Sequence, residues 1–110
     1  MSDNGAMRVR ALNDNLRRNY IGGRIMFTAG ISALEKETRI HILSAIIAFD
    51  AFTEDNDPHK EHDCAAMTVE DIRIIWKIDY YDKSLSNGSP DPSDPKVTER
   101  VMTVMLAEEY

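Results

Sequence analysis

The densest concentration of residues able to do chemistry is the stretch TEDNDPHKEHD (residues 53–63), in which Asp55, Asp57, His59, Glu61, His62 and Asp63 mix carboxylates with imidazoles. Such ligands hold divalent cations, and a bound cation acidifies a coordinated water enough for hydrolysis near neutral pH. Asp79 and Asp82, in WKIDYYD (residues 76–82), are the acids that a fold could bring beside this stretch. A metal-dependent hydrolase would draw on His62, Asp63 and Asp79. The spacing is not diagnostic of any one metal. Asp55, Asp57 and Glu61 have the composition of a calcium loop, but no glycine occupies its bend and no glutamate its closing position. His59 and His62 do not form the H-E-x-x-H pair of a zinc-binding helix. A reading without metal is equally concrete: Asp57-Pro58 is a turn, and the carboxylates cap backbone amides around it.

Other chemistries have thinner support. Cys64 is the single cysteine, so neither an internal disulfide nor a thiolate-rich zinc site can form, and at the head of an alanine-rich strand it reads as a small hydrophobe. There is no G-x-S-x-G elbow, no glycine-rich phosphate loop and no zinc-deaminase signature. Tyr80 and Tyr81 are adjacent and therefore point to opposite faces of a strand, and the acids around them disfavour base stacking. His41 reads as a partly exposed structural histidine.

Charge narrows the function classes further. The formal net charge of −6 disfavours nucleic acid and anionic membranes as direct partners. It is unevenly spread. Residues 1–24 set Arg8, Arg10, Arg17, Arg18 and Arg24 against Asp3 and Asp14, a net of +3, and the arginines of the first helix read as a solvated face. Residues 50–82 set ten acids against Lys60, Arg73 and Lys77, a net of −7. This polarity suits a partner protein with a basic surface, or a homodimer in which the basic N-terminal helix of one copy meets the acidic loop of the other. The N-terminus lacks the pattern of a secretory signal, and the longest apolar run, Ala45 to Phe49, falls far short of a membrane span, so the cytoplasm is the expected compartment.

The elements that must position these residues follow from periodicity. Residues 1–5 are expected to fray and residues 6–110 to form one α+β domain. Val9, Leu12 and Leu16 predict a helix ending near Tyr20, before Gly22-Gly23. Arg24 to Thr28 predicts a short strand. Ser32-Ala33-Leu34-Glu35 has the spacing of a capping box, opening a helix to about Phe52 that should be the most buried. Cys64–Val69 and Ile72–Tyr81 predict two strands. Alternation puts Ile72, Ile74, Trp76, Ile78 and Tyr80 on the core face of the second. Glu70-Asp71 lacks the Asn-Gly or Asp-Gly pair of a tight hairpin, which favours a wider turn. Asp94-Pro95 reads as an N-cap and first helical residue, with Val97, Val101, Val104 and Met105 as the stripe of a closing helix. The resulting order is α-β-α-β-β-α, a small antiparallel three-stranded sheet packed on helices.

AFDAFTEDNDPHKEHD (residues 48–63), WKIDYYD, GSPDPSDP (residues 88–95) and VTERVMTVMLAEEY (residues 97–110), with RVRALNDNLR and GGRIMFTAGI near the N-terminus, together resemble a family of small uncharacterised alphaproteobacterial proteins, often found on plasmids or other mobile DNA. The family has no established activity, so the resemblance implies no site. It implies a bacterial, intracellular protein and, through mobile DNA, a role in conflict with host defences. One departure stands out: a small residue such as glycine is expected where this chain has Lys60.

The sequence reading is therefore a non-enzymatic protein-interaction module, of the kind that inhibits a host nucleic-acid-targeting defence system (anti-CRISPR or anti-restriction type). It would act through an acidic face of Glu54, Asp55, Asp57, Glu61, Asp63, Asp79 and Asp82. The alternative is the metal-dependent hydrolase; no other cofactor is expected.

Overall fold

Among the described residues, three α-helices and four strands follow the order α1 (Ser2–Asn19), β1 (Arg24–Phe27), α2 (Ala29–Ser32), α3 (Lys36–Ala48), β2 (Cys64–Val69), β3 (Ile72–Tyr81) and β4 (Glu99–Leu106), closed by a 3-10 turn at Ala107–Glu109. This computed structural model describes the backbone of residues 2–110 and the side chains of residues 5–110. Met1, the first of the residues expected to fray, lies outside the described residues.

The sheet corrects the three-stranded antiparallel expectation. It has four strands in the order β1-β4-β3-β2 and is mixed: β4 runs parallel to β1 and antiparallel to β3. The closing segment, expected as a helix, is its second strand. Val97, Val101, Val104 and Met105 do fall at helical spacing, but Val97, Thr98, Val101, Thr103 and Val104 are all β-branched and favour extended backbone. Alternation then buries Arg100, Met102 and Val104 on one face. β1 explains why the strand wins. Four residues cannot satisfy their backbone groups alone, and β4 is the strand that pairs with them, Arg24 opposite Val101 through Phe27 opposite Val104. Asp94-Pro95 is accordingly a turn, with the Lys96 amide donating to Asp94 Oδ1 at 2.9 Å. The proline-rich loop delivers a strand rather than a helix.

The β2–β3 pair forms as its alternation predicts, in the register Val69 opposite Ile72 to Cys64 opposite Lys77. Its connection is tight, contrary to the wider turn expected. Glu70 (φ 52°) and Asp71 (φ 65°) both enter the left-handed region, the geometry of a two-residue hairpin usually built from Asn and Gly. Glu70 is tied down in compensation, accepting from Thr38 Oγ1 at 3.1 Å and lying 2.8 Å from His41 Nδ1.

The helix predicted from the Ser32–Glu35 box to about Phe52 is α3, shorter at both ends, and α2 is a separate turn of helix before it. Ser32 ends α2, and Glu35, not Ser32, is the N-cap of α3, without a side-chain cap bond. Gly30 permits the close approach of α2 to the end of β4: a Cβ there would lie 2.6 Å from Leu106 Cδ1 and 2.8 Å from the Glu109 carboxylate. Helix α3 stops at Ala48, and of its apolar residues only Ile42 and Ile46 are fully buried, with Ile40 exposed.

The helices and the inner sheet face enclose the core of Leu16, Ile31, Ile42, Ile46, Ile74, Trp76, Ile78, Met102 and Val104. Gly23 is required by close approach, since a Cβ would lie 2.4 Å from the Arg100 carbonyl oxygen and 2.9 Å from Leu16. Among the described residues, no helix is long and apolar enough to cross a membrane.

Candidate functional site

Two polar residues sit on the buried stripe of α1. Val9, Asn13, Leu16 and Arg17 follow i, i+4, i+7, i+8 and are all buried, which sends a side-chain amide and a guanidinium into the interior. This overturns the reading of the N-terminal arginines as one solvated face, because Arg17 is wholly inaccessible. Its task is the C-terminus of α3. That helix has no basic residue in its last turn, and Arg17 Nη1 donates to the carbonyls of Ile46 at 2.7 Å and Phe49 at 2.9 Å. A cation there satisfies the unpaired carbonyls and the negative end of the helix dipole together. Nη2 donates to Asp14 at 2.9 Å, and the guanidinium lies over Phe52 and Trp76 at 5.4 and 5.3 Å. Burial lowers the Arg17 pKa, with Asp14 opposing the shift.

The other face of this network is the acidic loop. His62 stacks on Phe52, ring centroids 3.8 Å apart and planes 6° from parallel, while its Nδ1 lies 3.0 Å from Asp14 Oδ1 and its Nε2 3.8 Å from Asp57 Oδ2. Asp57 is 4 % exposed and accepts from the amides of Glu61 (3.1 Å) and His62 (3.2 Å), which is the amide-capping role its place beside Pro58 suggested. Lys60 (φ 60°) and His62 (φ 53°) both take left-handed backbone in this bend. At Lys60 that is the conformation glycine adopts most readily, so the lysine occupies a glycine-like position at some backbone strain.

Asn13 joins loop to sheet. Its amide donates to the Glu61 carbonyl at 2.9 Å and to Tyr80 Oη at 2.8 Å, and its Oδ1 accepts from Arg100 Nε at 2.6 Å. Tyr80 in turn donates to Glu61 Oε1 at 2.8 Å. Burial and then the Glu61 carboxylate push the Tyr80 phenol far above its usual pKa, so it stays protonated. Arg100 is opposite Tyr80 in the β3–β4 register, covers its ring at 4.9 Å, and donates to the Pro92 carbonyl, fastening the proline-rich loop to the same network.

The seven acids expected to form one face are divided by this arrangement. Glu54 and Asp55 are exposed on the turn closed by the Asp57 amide and Thr53 carbonyl at 2.8 Å. Asp57 is buried, and Glu61 is half-buried against Tyr80. Asp63 is half-buried, and desolvation followed by the nearby Glu61 and Asp57 carboxylates raises its pKa. Asp79 pairs with Lys77 at 2.6 Å. Asp82 accepts from Ser84 Oγ at 2.8 Å and the Ser86 amide at 3.0 Å, shaping its own turn.

The three metal candidates are split in the same way. His62 shares a surface hollow with Glu54, Asp57 and Lys60, whereas Asp63 and Asp79 line a different one with Cys64, Lys77 and Tyr110. Among the described residues no group of three or more His, Cys, Asp or Glu is placed to hold a metal ion. Burial, then Asp63, raises the Cys64 thiol, which keeps it from acting as a thiolate. Helix α1 and the acidic loop also touch within one chain, through Asn13 with the Glu61 carbonyl and Asp14 with His62.

Sequence reasoning missed Asn13, Asp14, Arg17 and Arg100. The first and third carried a signal, since both fall on the stripe of Val9 and Leu16. Arg100 carried none once its segment was read as a helix.

A family model described as "Protein of unknown function (DUF3768)" matches residues 27–109, and the chain belongs to that family. Helix α1, which supplies Asn13, Asp14 and Arg17, lies outside the matched residues. Neither the curated proteins nor the solved structures contain a match to the chain.

Proposed function

We propose that this DUF3768 protein is a non-enzymatic interaction module whose acidic loop binds a partner protein with a basic surface. The observation that carries the reading is the construction of that loop. Glu54 and Asp55 stand exposed on a turn whose base is pinned from within by Asp57, His62 and Asn13. Carboxylates presented on a fixed backbone lose little entropy on docking, and their field steers a basic partner from a distance. Two of the chain's thirteen basic side chains, Arg17 and Arg100, are spent inside the fold, which leaves the outer surface more acidic than composition suggests. The groups that would serve catalysis are otherwise engaged: Tyr80 is held protonated, Cys64 is held as a thiol, and His62 is stacked and bonded.

In its finer form the reading places the protein in the bacterial cytoplasm, blocking a surface that otherwise grips nucleic-acid phosphates, as an inhibitor of a nucleic-acid-targeting defence system would. The test is calorimetry with the partner recovered from the native host. Affinity should fall steeply with salt, and the double substitution Glu54→Lys, Asp55→Lys should weaken it by about tenfold or more, as loss of complementary charge does. Affinity indifferent to both would overturn the reading. Titration with Mg²⁺, Mn²⁺ and Zn²⁺ should give neither heat nor a thermal shift; a saturable response would favour the hydrolase.

A further inference from the structure

We infer that the free edge of β1 pairs with the β1 edge of a second copy, joining two sheets across a two-fold axis at Met26. β1 has a neighbour on one side only. The Thr28 amide donates to Val104 at 3.1 Å, so in the alternating ladder the backbone groups of Arg24 and Met26 face β4 while those of Ile25 and Phe27 face outward. Among the described residues nothing hydrogen-bonds to these outward groups. An extended strand is the occupant they fit. The edge is short, but it has no proline or bulge, and its one charge, Arg24, lies 3.0 Å from Glu99 while its side chain stays 56 % exposed. Met26 is 53 % exposed and Phe27 38 %, an apolar flank on an otherwise charged molecule.

Self-pairing is what the side chains favour over a foreign strand. Residues opposite each other across an antiparallel pair must share a face, so the axis passes through a residue and not between two. With Met26 on the axis, Ile25 lies opposite the partner's Phe27 as a hydrogen-bonded pair. Each outward amide and carbonyl is then satisfied, and apolar side chains meet apolar ones. The same register sets Arg24 opposite the partner's Thr28. Thr28 Oγ1 donates to Glu109 at 2.6 Å, so Arg24 of each copy approaches an exposed carboxylate of the other. The charge complementarity is reciprocal, as a two-fold interface requires.

Sedimentation of the full chain tests this independently of the acidic loop. The wild type should sediment at twice the 12.5 kDa chain mass. Met26→Lys and Met26→Glu, each placing like charges on the axis, should halve that mass with unchanged far-ultraviolet circular dichroism. Mixing the two variants in equal amounts should restore the doubled mass, because the axis then joins opposite charges. A monomeric wild type at its highest soluble concentration, or variants that keep the doubled mass, would overturn the interface. A mixture that stays monomeric would overturn the Met26-centred register. Amide exchange gives a second measure: Ile25 and Phe27 should be protected in the wild type and lose protection in either single variant, and free exchange in the wild type would refute the pairing.

Discussion

Two histidine–carboxylate pairs of nearly equal length do unequal work. His41 Nδ1 and Glu70 Oε2 are 2.8 Å apart with side chains 61 % and 42 % exposed, whereas His62 Nδ1 and Asp14 Oδ1 are 3.0 Å apart at 20 % and 27 %. The first links α3 to a hairpin tip through water-washed groups, and losing it returns both to solvent. In the second, Asp14 also holds Arg17, Arg17 holds α3, and His62 lies on Phe52. Removing one member there leaves the others with less water to replace it. Proximity is the same in both; burial decides what it is worth.

The contrast would be broken most severely at Arg17. Arg17→Met keeps the apolar stem but removes the charged donor to the Ile46 and Phe49 carbonyls and leaves Asp14 with His62 alone, and urea unfolding should show a loss of about 3–5 kcal/mol, as for two or more hydrogen bonds to a charged group. A loss near that of an ordinary surface substitution would mean that the network is not a unit. Next is His62→Ala, which removes the stack and the Asp14 bond. Equilibrium unfolding should register about 1–3 kcal/mol, with amide exchange accelerating through residues 57–63. Unchanged exchange in that loop would show that His62 does not pin it.

Asp63 should respond in the opposite direction. Its pKa is raised in the fold above the ordinary 3.8, so the folded state keeps a proton that the unfolded chain has already lost. Stability therefore falls as pH rises from the ordinary value through the raised one. Asp63→Asn should increase the melting temperature at neutral pH and bring no gain below the ordinary value. A destabilised variant at neutral pH would contradict the assignment of burial as the cause.

The smallest effect belongs to the surface pair. The pKa of Glu70 is lowered by its bonds to His41 and then Thr38, so its contribution is present above the ordinary value of 4.5 and lost as pH falls through the lowered one. Glu70→Gln should give a slight drop in melting temperature at low salt and none at high salt. A salt-independent drop comparable to that of His62→Ala would erase the distinction between the two pairs.

Much of the fold was legible because one force wrote each signal. Alternation alone found β2 and β3 and assigned Ile74, Trp76 and Ile78 to the core, and Gly22-Gly23 marked the end of α1. Legibility failed where local pattern and long-range pairing disagreed. Val97, Val101, Val104 and Met105 satisfy a helical stripe, and the need of β1 for a neighbour lies far away in the chain, Arg24 pairing with Val101. Ser32 and Glu35 have capping-box spacing, yet Ser32 is the last residue of α2 and Glu35 is itself the N-cap of α3. The acidic cluster was visible as composition, but not which of its members had inward partners.

By itself the sequence determined that this chain has an apolar core, a β2–β3 hairpin, a basic N-terminal helix and an acidic loop, because hydrophobic period and charge are local properties. Only the tertiary structure decided that β4 is a strand, that Arg17 caps a helix 29 residues away, and that Arg100 meets Asn13 and covers Tyr80. Those outcomes depend on which buried carbonyls, amides and charges must find partners once water is excluded, and that demand arises only when distant segments pack together.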